Sequence, residues 1–136
     1  MMVIMEIKGS VATGYGKGAY FLGQKFYKSK FNEKCGFTPY PGTLNIVVPE
    51  KYLDSIKRIK SNTNNIIKPR EGFGGVRYIK ATLKDLATQN TVTGAIVFPD
   101  KTTHEENYLE FIAKENLRKK FDLKDEDEVK ISIDEQ

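Results

Sequence analysis

Apolar and polar residues alternate through much of this chain with the two-residue period of half-buried strands, and a helical period breaks in only briefly. Residues 3–11 alternate imperfectly and open the chain as a strand. A second strand covers residues 44–48 and ends at Pro49. Residues 76–83 and 91–99, joined by a turn over 87–90, predict a hairpin with Val76, Tyr78, Lys80 and Thr82 on one face of its first strand. Residues 108–113 fit either strand or helix, and their aromatic content and short apolar run favour strand. Residues 129–133 close the sheet. Apolar positions at 52, 53, 56 and 59 predict one amphipathic helix over residues 50–60. Residues 21–27 fit a short helix or an irregular turn with Phe21, Leu22 and Phe26 inward; residues 28–36 read as a polar, basic connection, and 115–121 as one or two helical turns. Residues 66–69 form a short extended piece, and the glycine cluster at 71–75 a turn. About six short strands with many turns imply a mainly β fold: a small closed six-stranded β-barrel with short helical insertions, one domain over residues 1–136.

Composition narrows the chemistry. The 136 residues suffice for one core, and neither an apolar run of membrane length nor a secretory signal in residues 1–6 is present, so the expectation is a cytosolic protein. Cys35 and His104 are single, which removes an intramolecular disulfide, zinc clusters and Cys–His catalysis. The net charge of +4 suits nucleic acid, a nucleotide phosphate or mere solubility. A nucleic-acid-binding module would use the lysine-rich residues 25–34 with Phe26, Tyr27 and Phe31 interleaved. Against it, there are only four arginines, at 58, 70, 77 and 118, and acidic residues dilute any basic stripe.

Two stretches carry candidate chemistry. Gly14, Gly16 and Gly18 alternate with Tyr15 and Lys17, so the backbone can approach a ligand closely and turn N–H groups toward phosphate oxygens. The run is neither a Walker loop nor a dinucleotide fingerprint, and a bare glycine run is more often a flexible turn; Lys17 inside it shifts the balance toward phosphate. In the second stretch, Pro39 and Pro41 stiffen the approach to Gly42, after which Thr43 and Asn45 share one strand face. Their oxygens suit Mg²⁺, which takes few protein ligands, and would equally cap a turn or fill a β-face. Glu110 stands amid apolar neighbours, either as a functional carboxylate or as an edge-strand glutamate facing water. Amides for phosphates, a Mg²⁺ platform and a carboxylate to orient a hydroxyl are together the parts of a phosphoryl-transfer site.

The residues from Gly14 to Gly18, the run Pro39-Tyr40-Pro41-Gly42-Thr43-Leu44-Asn45, and Leu109-Glu110-Phe111-Ile112-Ala113 followed by Asn116-Leu117-Arg118 resemble the archaeal CTP-dependent riboflavin kinases over essentially the whole chain. Pro-Gly-Thr-Leu-Asn is the most specific of these motifs. The resemblance implies a cradle-loop barrel that transfers the terminal phosphoryl group of CTP to the 5′-hydroxyl of riboflavin, giving FMN and CDP. It implies nucleotide binding by Tyr15, Gly16, Lys17, Gly18, Ala19 and Tyr20 and by Glu115, Asn116, Leu117 and Arg118. It implies Mg²⁺ binding by Thr43 and Asn45, and flavin contacts from Thr102 and Glu110, with Thr103 an alternative to Thr102. On this reading Glu110 orients the hydroxyl with partial base character, the partners are riboflavin and CTP without nucleic acid or membrane, and the protein is a monomer. The sequence Asp125-Glu126-Asp127 replaces the Asp-Gly-Asp frequent in the family, a local difference with no catalytic role implied. A flavin-binding protein without kinase activity is the other reading.

Overall fold

The computed structural model describes residues 3–14, 17–101 and 105–134. Among the described residues are seven strands: β1 Val3–Ala12, β2 Leu44–Val47, β3 Ile66–Ile67, β4 Val76–Asp85, β5 Thr91–Pro99, β6 Tyr108–Ile112 and β7 Glu128–Asp134. The order β4-β5-β6-β2-β1-β7 closes on itself through a β4–β7 pairing, with every pair antiparallel, and β3 adds to the outer side of β4. The six-stranded barrel expected from the alternation is therefore present, with one short extra strand. Closure gives each barrel strand a hydrogen-bonded neighbour on both sides.

Among the described residues four helices accompany the barrel: α1 Lys17–Gly23, α2 Lys25–Cys35, α3 Leu53–Asn62 and α4 Leu117–Lys120, with a 3₁₀ turn, Glu50–Tyr52, leading into α3. The helix α2 replaces the polar connection expected over residues 28–36. Its lysines mask an apolar stripe of only two buried residues, Tyr27 and Phe31, four apart and hence on one face. Gly36, at φ 82°, ends it in a left-handed cap whose N–H donates to the Asn32 carbonyl at 3.0 Å.

The apolar residues form two layers. One fills the barrel, where Ile7, Ile46, Ile79, Leu83, Ile96, Phe111 and Ile131 meet. The other lies outside it: Leu22, Tyr27 and Phe31 of α1 and α2 cover Val76, Tyr78, Ala95, Val97 and Ile112 on the outer faces of β4, β5 and β6. Strand β5 is thus buried on both faces from Gly94 to Val97, which its unbroken apolar run reflects. Phe31, fully buried with its ring edge-on to Phe21 and Tyr78, anchors the outer layer. Phe31→Ala is expected to lower the unfolding free energy by about 3–5 kcal/mol. Urea denaturation checks this, and a change within about 0.5 kcal/mol, the range of surface substitutions, would contradict the packing.

Candidate active site

The outer layer leaves a gap above β2 and β6, and the chemistry-bearing residues converge there. The approach to β2 is held by the Tyr40 N–H, which donates to the Ala113 carbonyl at 2.8 Å, and by the Gly42 N–H, which donates to the Tyr40 carbonyl at 2.8 Å. From Thr43 onward the strand period decides which side chains reach the gap: Leu44 and Ile46 are buried in the barrel core, while Asn45 lies on the outer face. Across the ladder Asn45 stands opposite Ala12 of β1 and Glu110 of β6. Strand β6 is flanked by β2 and β5, and Glu110 is only 9% exposed, so the edge-strand reading of this glutamate is overturned. The Thr43 hydroxyl donates to Glu110 Oε1 at 3.1 Å. With its proton directed at the carboxylate, Thr43 Oγ1 keeps its lone pairs for another partner.

Two glycines admit this arrangement. A Cβ on Gly18 would fall 2.5 Å from Thr43 Oγ1 and 2.9 Å from the Thr43 backbone nitrogen, and one on Gly14 would overlap the Asn45 side-chain amide. Only glycine lets the β1 exit and α1 lie this close to β2. Of the stretch expected as a glycine loop, the part from Lys17 onward is the start of helix α1. Lys17, Gly18, Ala19 and Tyr20 therefore occupy a first turn, where backbone N–H groups have no acceptor within the helix.

Between α1, α2 and the barrel lies a cavity of about 510 Å³. Thr43, Asn45 and Glu110 line it beside Lys17, Gly18, Ala19 and Tyr20. Tyr20, 78% exposed, sits at its mouth. Among the described residues its charged lining is Lys17, Lys101, Arg118 and one acid, Glu110, a balance that favours anionic groups. The rest is largely apolar or backbone: Phe21, Tyr27, Gly74, Gly75, Val76 and Pro99. The Tyr27 hydroxyl donates to the Gly74 carbonyl at 2.8 Å, and burial pushes its phenol above the ordinary value of 10.0, so it stays a donor.

Of the carboxy-terminal candidates the structure brings only Arg118 to the cavity wall. Glu115 pairs with Lys120 at 2.8 Å. Asn116 caps α4 and donates from Nδ2 to the Tyr40 hydroxyl at 3.2 Å, and Leu117 is buried in the barrel core. Tyr15, Gly16 and Thr102 lie outside the described residues.

Sequence reasoning missed Phe21 and Tyr27 as cavity residues, along with the glycines at 74 and 75. Phe21 is readable only as core, Tyr27 only as an aromatic among lysines, and the second glycine cluster only as a turn. Two aromatics facing a glycine pair carry no signal until α1 and α2 fold over β4. Among the described residues no group of three or more His, Cys, Asp or Glu is placed to hold a metal ion, and no helix is long and apolar enough to cross a membrane.

Comparison with known proteins bears on this site. A family model named for CTP-dependent riboflavin kinase, with the description "Domain of unknown function DUF120", matches residues 11–133. A riboflavin kinase of Methanobrevibacter smithii is 61% identical over 129 residues, covering 95% of this chain and 100% of the relative. A riboflavin kinase of Methanothermobacter thermautotrophicus is 44% identical over 122 residues, covering 90% and 93%. One from Methanococcoides burtonii is 41% identical over 132 residues, covering 96% of this chain and 58% of a longer relative. The matched region holds the cavity residues from Ala12 to Arg118 and the barrel strands apart from most of β1 and the last residue of β7, and the chain belongs to the CTP-dependent riboflavin kinase family.

Proposed function

We propose that this chain transfers the terminal phosphoryl group of CTP to the 5′-hydroxyl of riboflavin, yielding FMN and CDP, with Mg²⁺ held by Thr43 and Asn45. The observation that carries the reading is the 3.1 Å bond from Thr43 to Glu110 in the wall of a cavity with cationic and apolar portions. A volume of about 510 Å³ is in the range of cofactor-sized sites.

The donor set fits a hard cation. Thr43 and Asn45 line the same cavity, with too few carboxylates nearby among the described residues for a closed protein cage, so water and phosphate would complete the shell. When bound, Mg²⁺ supplies charge neutralisation at the phosphate oxygens. The chain's own residues do the rest. Lys17 and Arg118 bring positive charge to the phosphates, and the first-turn amides of residues 17–20 offer donors. Glu115, Asn116 and Leu117 serve the nucleotide side by building α4, from which Arg118 projects. Tyr15 and Gly16 extend the nucleotide side, and Thr102 the flavin side.

The apolar wall of Phe21, Tyr27 and Val76 receives the flavin ring system, leaving the ribityl chain to run toward Glu110. In the transfer the 5′-oxygen forms a bond to the terminal phosphorus, the bond from that phosphorus to the CDP oxygen breaks, and the hydroxyl proton is lost. Glu110 orients that hydroxyl and accepts its proton in part. Calorimetry with CDP and riboflavin tests the placement. Asn45→Ala is expected to abolish the Mg²⁺-dependent part of CDP binding and to leave riboflavin affinity unchanged. Indifference of the wild-type chain to both ligands would contradict the reading.

A further inference from the structure

We propose that Asp125, outside the cavity, is the positioning residue that holds Arg118 and the end of β1 in register for the nucleotide; this rests on the reading above. Asp125 Oδ1 accepts from Arg118 Nη2 at 2.7 Å, and Oδ2 accepts from the Thr13 hydroxyl at 2.6 Å. Arg118 Nη2 donates in addition to the Ala12 carbonyl at 3.0 Å. The first turn of α4 and the turn before β7, seven residues apart, are thereby tied at one point to the exit of β1, which is more distant in sequence by 106 and 112 residues. Ala12, Thr13 and Arg118 line the cavity, whereas Asp125 stands behind them.

The turn that carries Asp125 is itself anchored. The Val11 N–H donates to the Asp127 carbonyl at 2.8 Å and the Glu126 N–H to the Val11 carbonyl at 2.7 Å, so the β1–β7 ladder continues through the turn. The Lys124 N–H donates to Asp127 Oδ2 at 2.8 Å, closing the turn from the other side. Asp125 is thus presented from a fixed backbone, although its side chain is half exposed. The Thr13 hydroxyl first, and the Arg118 guanidinium second, hold its carboxyl below the ordinary value of 3.8, so it is ionised at neutral pH.

Arg118 makes both of its bonds through Nη2, and among the described residues Nε and Nη1 carry none. The far edge of the guanidinium is therefore available while its plane is already set. Fixing a long, rotamer-rich side chain before the ligand arrives removes a cost that would otherwise fall on binding. Thr13 benefits likewise, one residue before Gly14, whose close approach to Asn45 depends on where the β1 exit lies.

The experiment compares Asp125→Ala, Asp125→Asn, Arg118→Ala and the double variant Asp125→Ala/Arg118→Ala. Titration with Mg²⁺·CDP and with riboflavin is combined with NMR relaxation of the Arg118 Nε–Hε signal in the ligand-free chain. Asp125→Ala is expected to weaken CDP about tenfold, to leave riboflavin unchanged and to loosen the Arg118 signal. Asn can still accept from Arg118 and donate to Thr13, so Asp125→Asn is expected to stay within about threefold of wild type. The double variant is expected to match Arg118→Ala.

An unchanged Arg118 signal in Asp125→Ala overturns this inference whatever the ligands do. So does an Asp125→Asn variant as weak as Asp125→Ala, or an added loss in the double variant. A loosened Arg118 in a protein whose wild type ignores CDP would instead overturn the nucleotide assignment and leave the strut established.

Discussion

Thr43→Ala is expected to slow FMN formation at least about a hundredfold while the protein keeps its fold, because in the proposed site it removes a direct metal ligand, which exceeds the usual effect of losing a supporting partner. The expectation follows from where the hydroxyl sits. Its proton goes to Glu110 Oε1 at 3.1 Å, and Thr43 lines the same cavity as Asn45. Folding should tolerate the change, since Thr43 belongs to neither apolar layer. Steady-state kinetics across a range of Mg²⁺ concentrations, with circular dichroism as the folding control, checks it. Near-normal turnover at limiting Mg²⁺ would contradict the metal assignment. Glu110→Gln, assayed in parallel, separates base from orienting group: an amide can still accept from Thr43 but removes proton less well, so near-normal turnover would assign Glu110 to orientation alone.

Gly18→Ala is the second large effect. A methyl group there meets Thr43 Oγ1 at 2.5 Å and the Thr43 backbone nitrogen at 2.9 Å, and the backbone atom cannot rotate away. Helix α1 must then lift from β2. The expected result is an unfolding free energy lower by about 1–3 kcal/mol, the cost of overpacking, together with loss of most activity because Lys17 and Thr43 separate. Gly23→Ala is the control: a Cβ there meets nothing within 4 Å. Equal activity in the two variants would show that the approach of α1 to β2 does not matter.

The barrel was readable because strand alternation is local. The hairpin of β4 and β5 shows it, as does β2, where a period of two sets Thr43 and Asn45 against Leu44 and Ile46 before any tertiary contact is known. Their meeting with Glu110 was a conjecture from chemistry, and register supplies it: Asn45 and Glu110 are cross-strand partners. Helix α2 was hidden because lysines outnumber its two buried aromatics, and its identity as a helix depends on the outer faces of β4 and β5 that those aromatics cover. The far wall of the cavity was hidden for the same reason. Phe21, Tyr27 and Gly74 become a site only when α1 and α2 close over the barrel. Asp125 lies 112 residues from its partner Thr13, and no periodicity reports a contact of that span.

The central claim is that this cavity passes a phosphoryl group from CTP to riboflavin. Riboflavin is incubated with CTP, ATP, GTP or UTP, each labelled at the terminal phosphate, with Mg²⁺ or with EDTA, and label is followed into FMN. Labelled FMN is expected with CTP and Mg²⁺, little with the other three donors, and none with EDTA. Unlabelled riboflavin with every donor would contradict the claim.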